Sequence, residues 1–245
     1  MILHGAPRWN AQWRRFMRRP RVIAVFSFRY DHHLVADLLE NIRPLVDGWV
    51  AFDDRKSQGV MSNEPARRAA LLEAASAWRP DWILGIDPDE RLEHGAPERL
   101  APKLRAEGLV AYGFKLREMY TPDSYRTDGL WGGKIRFNLF KPPPHSHPEM
   151  ADWHGRWYPR EAGYRTEIVD VNLYHLKMIT PERRVARAAL YEALDPDHRF
   201  QKIGYDYLAD DSGLQLEIIP KSRGYHPRHR EDGGLWMPEP TSLRS

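Results

Sequence analysis

The sequence contains no cysteine. Disulfides, thiolate metal sites and cysteine nucleophiles are therefore excluded, and the chain suits a reducing compartment. No apolar run approaches the roughly 18 residues that a membrane span requires. No apolar segment precedes a small-residue cleavage site, so no secretory leader is expected and the expected localisation is cytoplasmic. Acidic side chains are missing from the first 30 positions, which carry Arg8, Arg14, Arg15, Arg18, Arg19, Arg21 and Arg29. There Trp9, Trp13, Phe16 and Met17 follow helical spacing. A basic helix with an aromatic face can lie on anionic lipid, so peripheral contact with the inner membrane face through residues 8–21 is one expectation. A terminal helix packed on the domain, with its arginines in water, is the other. No nucleic-acid partner is expected, because nothing beyond this patch points to one.

What is present is enough chain, 245 residues, for one large domain with a sizeable core. Residues 1–20 form a basic amphipathic segment, 21–219 the domain, and 220–245 a polar arm rich in Gly, Pro and Arg. Val22 to Phe28 reads as a buried strand, being apolar and rich in β-branched and aromatic residues. Residues 32–46 follow at near-helical spacing, then a strand over 48–52 ending at Asp53 and Asp54. Ser62 or Asn63 can cap a helix over 65–78. Trp82 to Ile86 is the next strand. Strand, helix, strand, helix, strand predicts an α/β fold with a mostly parallel central sheet flanked by helices, and such sheets bind ligands at the carboxyl ends of their strands. Ser27, Arg29, Asp53, Asp54, Asp87 and Asp89 fall there. Further on, a helix is expected over 97–106 and strands over 110–119, 134–140 and 168–175. Thr180 should cap a helix over 181–194. Residues 141–165 read as a long functional loop.

The stretch "DWILGIDPDERLE" poses the chemical question. Its carboxylates crowd the mouth of a buried strand, where like charges repel unless something positive sits between them. Asp-x-Asp on a turn can face a divalent cation, and Mg²⁺ or Mn²⁺ bind with few protein ligands plus phosphate oxygens. A solvated turn whose Asp89 and Glu90 cap a following helix is the alternative.

"SNEPARRAALLEAASAWRPDWILGIDPDERLE" resembles the core of family 2 glycosyltransferases of the GT-A fold, where an Ala- and Arg-rich helix leads to a strand ending in Asp-Ala-Asp-Glu. The likeness is nearest to bacterial enzymes that build lipopolysaccharide core and other surface glycans. "VIAVFSF" and "GWVAFDDRKSQG" sit where the first two strands of that family lie. "KIRFNLFK" resembles its Arg-Leu-Phe strand, and "LYHLKMITPERRVARAALYEAL" its late His and Arg-rich helix. The resemblance covers roughly residues 21–195. It departs at "FRYDHH", where the family often has Asn-Glu, and in "DDRKSQG", which lacks a second acid.

The resemblance implies a GT-A domain with a nucleotide-sugar-binding half, 21–94, and an acceptor half with a smaller sheet, 95–219. It implies a hexosyltransferase-type enzyme, expected to be inverting, that uses Mn²⁺ or Mg²⁺ and a nucleotide-diphosphate sugar on a glycan or glycolipid acceptor. Asp89, with Asp87 and His175, is expected at the metal. Ser27, Arg29, Asp53, Asp54, Arg68 and Asp87 are expected at the donor. Glu149 and Asp152 are expected as candidates for the base, with Asp128 another possibility. Trp131, Trp153, Trp157 and Tyr158 can stack on sugar rings or pack under the loop. His145 and His147 form His-x-His in a Pro-rich setting, a poor metal site. Arg183, Arg184 and Arg187 can reach phosphate, though a solvated helix face is the first expectation for them. A metal-dependent phosphoesterase, a non-catalytic nucleotide-binding protein on the same scaffold and a nucleic-acid binder are the rival classes.

Overall fold

The computed structural model describes residues 1–6, 19–56, 64–143, 157–158 and 163–229. The amphipathic run over 8–17, the caps Ser62 and Asn63, and His145, His147, Glu149, Asp152 and Trp153 lie outside the described residues.

Strand β1 is Ile2–Gly5, β2 Val22–Phe28, β3 Gly48–Asp53 and β4 Trp82–Gly85. Helix α1, Val35–Ile42, joins β2 to β3, and α2, Glu64–Ser76, precedes β4. β2 lies between β3 and β4 and is parallel to both. Side chains alternate along a strand. Val22, Ala24, Phe26 and Phe28 therefore share one core cluster with Leu38 and Ile42 of α1. Ile23 and Val25 face the other way, onto Leu71, Leu72 and Ala75 of α2. A strand apolar on both faces thus forces a helix onto each, which is the three-layer half the sequence predicts. Trp82, fully buried, anchors the base of β4. Its indole Nε1 donates to the Leu104 carbonyl at 2.8 Å and its ring stacks on Tyr112 at 5.2 Å. Burying a side chain of that size is worth about 2–3 kcal/mol.

The remaining elements are β5 Glu90–Leu92, α3 Ala96–Leu100, β6 Val110–Thr121, β7 Ser124–Arg126, β8 Ile135–Phe140, β9 Arg165–His175, α4 Pro181–Leu194 and β10 Leu216–Ile218. The sheet runs β1-β3-β2-β4-β8-β6-β7-β10, with β9 beside β6 and β5 beside β9. Beyond the two pairings of β2, only β6 with β9 is parallel. Every other described pairing is antiparallel. The chain is therefore α/β with a large mixed sheet, and the expectation of a mostly parallel sheet is corrected. Pro122 and Asp123 alone connect β6 to β7, and so short a link can join only antiparallel strands. β8 then returns between β4 and β6, antiparallel to each.

The C-terminal arm is ordered through its described part. Arg223 donates from Nε to Glu93 at 2.6 Å and from Nη1 to Asp170 at 3.1 Å. The His226 carbonyl accepts from Asn41 at 2.7 Å. No helix among the described residues is long and apolar enough to cross a membrane.

Candidate functional site

The three parallel strands end together. Asp54 N–H donates to the Phe28 carbonyl at 3.0 Å, and Ile86 N–H to Val25 at 3.1 Å. This places Asp53, Asp54 and the Asp87–Glu90 turn at one end of the sheet. Asp53 holds Arg55 at 2.8 Å, and that hydrogen bond lowers its pKa to about 2. Asp54 is buried and accepts from Arg67 of α2 at 2.8 Å. Ser27 is half-buried and pairs with Phe52 in the ladder. Arg29 lies over the Tyr30 ring at 5.2 Å.

Asp89 is reached from two directions. The register of β5 with β9 sets Glu90 beside His175, and that of β6 with β9 sets Glu118 beside the same His175. Leu176 N–H donates to the Asp89 carbonyl at 2.7 Å, which locks the turn to the end of β9. His175 Nε2 stands 3.5 Å from Asp89 Oδ2, and its Nδ1 is 2.8 Å from Glu118 Oε2. Lys134 meets the other Glu118 oxygen at 3.1 Å. From the opposite side Arg187 of α4 donates to Asp89 Oδ2 at 3.0 Å and to Asp31 at 2.8 Å. Arg183, one turn earlier, donates to Asp31 at 3.0 Å. α4 thereby braces the loops that follow β2 and β4.

Buried charges persist only when matched. Burial pushes the Asp89 carboxyl up, but His175 and Arg187 outweigh it and hold the group well below the ordinary carboxylate range. Burial likewise opposes charge on His175, yet Glu118 and Asp89 raise its pKa to about 9, so the imidazole is cationic at neutral pH. Glu118 is held well below its usual value, as His175 and Lys177 overcome its burial. The positive partners of the crowded Asp89 carboxylate are, within the protein, an imidazolium and a guanidinium.

Glu90 differs. It is fully buried, its Oε2 accepts from the Asp87 N–H at 2.9 Å and from Asn138 at 3.3 Å, and its Oε1 has no hydrogen-bond partner among the described residues. Burial raises its pKa to about 7, with Arg136 opposing. The solvated-turn alternative, with Glu90 capping a helix, is not what forms: Glu90 opens β5. Asp87 is 37% exposed at its side chain, and its nearest cation is Arg136 at 3.8 Å.

Other expected residues fall into structural roles. Arg183, Arg184 and Arg187 are buried, which corrects the solvated-face expectation. Arg184 donates to the carbonyls of Tyr120 at 3.1 Å and Met178 at 2.9 Å. Asp128 is tied to Arg126 at 2.6 Å and caps Gln215 N–H at 3.2 Å. Trp131 is buried and tilted against Tyr207 at 5.5 Å. Trp157 covers Gly85, and Tyr158 packs on Phe140 at 6.2 Å. The residues the sequence reading missed are Asp31, Glu118 and Arg136. Glu118 had a signal: it continues the buried alternation of Phe114 and Leu116, so a carboxylate falls on the core face of β6. Asp31 and Arg136 had none.

Among the described residues no three His, Asp or Glu side chains are grouped to hold a metal ion, so Asp87 does not join Asp89 and His175 in one set. Asp89 and His175 by themselves converge, with His175 Nδ1 fixed by a carboxylate, which is how metal-binding imidazoles are usually oriented. Two protein ligands completed by phosphate oxygens and water suit Mg²⁺ or Mn²⁺. For that, the His175 proton must leave and Arg187 must release Oδ2. Compared with known proteins, the chain matches no family model and no curated protein.

Proposed function

We propose that the chain is a GT-A-type glycosyltransferase that moves a sugar from a nucleotide-diphosphate sugar to an acceptor hydroxyl, with inversion, in surface polysaccharide or glycolipid synthesis. The observation that carries this reading is the placement of Asp54 after β3 and of Asp87 and Asp89 after β4 at the same carboxyl end of the parallel strands β3, β2 and β4, with helices on both faces of those strands. Ligands bind α/β sheets at that end. The mostly antiparallel half, β8 and β6 onward, is assigned to the acceptor side.

Asp54, buried against Arg67, is assigned to the base or ribose of the donor, which it would reach by exchanging that partner. Asp87, the half-exposed acid, takes the ribose hydroxyls. Asp89 and His175 would hold a divalent cation, which would supply positive charge against the departing diphosphate. In direct displacement the acceptor oxygen bonds to the anomeric carbon as the diphosphate leaves with the electron pair. A carboxylate takes the hydroxyl proton, and Glu149 and Asp152, outside the described residues, are the candidates. The work is placed on the cytoplasmic side of a membrane that carries the acceptor.

Nucleoside diphosphate release from a panel of nucleotide sugars, with Mn²⁺ or Mg²⁺ and glycan or glycolipid acceptors, tests the reading. At least one donor should turn over, and Asp89→Ala should abolish it. No donor binding and no hydrolysis across the panel would remove the proposal. A metal-dependent phosphoesterase would instead release phosphate from simple esters.

A further inference from the structure

Arg68 lies in the second turn of α2 and is 9% exposed. A guanidinium carries five donors and cannot shed its charge in a protein. Only one Arg68 nitrogen is accounted for, Nη2, which donates to Glu64 one turn back at 3.0 Å. Nε and Nη1 are buried and have no hydrogen-bond partner among the described residues. The guanidinium lies over the Trp157 ring at 5.2 Å, and Trp157 itself packs against Gly85, where a Cβ would come within 2.4 Å of it. The indole thus fixes Arg68 beside the end of β4, immediately before the Asp87 turn.

Arg136 approaches the same turn from β8. Its nearest acids, Asp87 at 3.8 Å and Glu90 at 3.9 Å, are both beyond hydrogen-bond range, and its side chain is 37% exposed. The charges that act on Arg68 are those of Asp87 and Arg136. Two guanidinium groups therefore stand near one half-exposed carboxylate, Arg68 with two buried donors unmet among the described residues and Arg136 partly open to solvent. Burying an unsatisfied guanidinium is unfavourable, and two like charges drawn together add to it. A ligand that brings negative oxygens relieves both.

We propose that Arg68 and Arg136 form a metal-independent anion subsite that grips the phosphoryl oxygens of a nucleoside diphosphate beside Asp87. The proposal rests on the donor-site reading above and deepens it: the protein supplies diphosphate counter-charge of its own, separate from the cation at Asp89 and His175. Arg is suited to this because its planar fork matches two phosphate oxygens at once, which a Lys ammonium does not. Trp157 acts as the positioning residue that keeps the Arg68 fork from swinging away.

The test is calorimetric titration of the full chain in EDTA with UDP, GDP, pyrophosphate, inorganic phosphate and uridine. The wild type should bind UDP or GDP, and pyrophosphate, without metal. Arg136→Gln, at a partly exposed position, should weaken them by roughly tenfold or more. Arg136→Lys should restore only part of the loss, and uridine binding should not change. Arg68→Lys, which keeps the buried charge and guards against misfolding, should weaken pyrophosphate as well. Pyrophosphate and free phosphate binding equally tightly would overturn the diphosphate assignment, as would Arg136→Gln binding UDP, GDP and pyrophosphate like the wild type. So would loss of all wild-type binding in EDTA. Sugar transfer with an unaffected Arg136→Gln titration would sink this inference and leave the enzyme reading standing. Arg136-dependent pyrophosphate binding without turnover of any donor would do the reverse.

Discussion

Arg187 is the residue on which the buried charges most depend. It touches Asp31 and Asp89, acids from two separate loops, and Asp89 is too deeply buried to fall back on water. Arg187→Ala should destabilise the fold by about 3 kcal/mol, the usual cost of stranding a buried partner, measured by urea denaturation. An unchanged midpoint would mean Asp31 and Asp89 find water or other cations. Glu90 behaves in the opposite sense. Its folded pKa is raised to about 7, so the native state prefers it protonated. Its penalty is absent below the ordinary Glu value near 4.5 and complete above pH 7. Glu90→Gln should therefore stabilise the protein at pH 8, by roughly 2 kcal/mol, and change little at pH 4.5. A gain that is the same at both pH values would rule out titration as its cause. At this scale the acids were legible and their partners were not. Asp87 and Asp89 stand out because carboxylates interrupt an apolar run. That Arg187 rather than water meets Asp89 follows from a docking of α4 98 residues away, which no local pattern encodes.

Among the elements, α4 was readable to the residue. Thr180 accepts from Arg183 N–H at 3.3 Å and Pro181 opens the helix, so start and cap are both written in the sequence. Thr180→Ala should cost about 1 kcal/mol in thermal or urea unfolding. The short strands were not readable. β5 holds Glu90, Arg91 and Leu92, all buried, and is a strand only because β9 lies beside it. β7 and β10 span three residues each and β1 four, too short for alternation to register. The contact of β4 with Trp157 is equally invisible locally. Gly85→Ala would drive a methyl into Trp157 and should lower stability by about 1–3 kcal/mol. By the account above it should also weaken metal-free diphosphate binding, since Trp157 seats Arg68.

Across the whole molecule, the first half of the fold was legible because two-sided apolar strands dictate helices on both faces. Strand direction in the second half was not, because direction is set by connection length and by which edge remains open for β8. The charge network gives the protein a pH profile. Asp89 and Glu118 are held low, so their stabilisation is present above the ordinary carboxylate range and lost as pH falls below it toward their depressed folded values. His175 is raised to about 9, so its contribution is complete below its ordinary value near 6.5 and lost as pH climbs through 9. Glu90 adds to the alkaline decline. Thermal midpoints should peak near about pH 5–6 and fall toward pH 9, and His175→Asn should flatten that alkaline limb. A midpoint rising from pH 6 to pH 9 would contradict this arrangement of charges. The central claim is that nucleoside diphosphates seat at the carboxyl ends of β2, β3 and β4, and a crystal structure grown with UDP or GDP and Mn²⁺ tests it most directly. Diphosphate density is expected beside Asp87 between Arg68 and Arg136, with an anomalous manganese peak at Asp89 and His175. Nucleotide bound elsewhere, with Arg187 still on Asp89 and nothing at the strand ends, would contradict it.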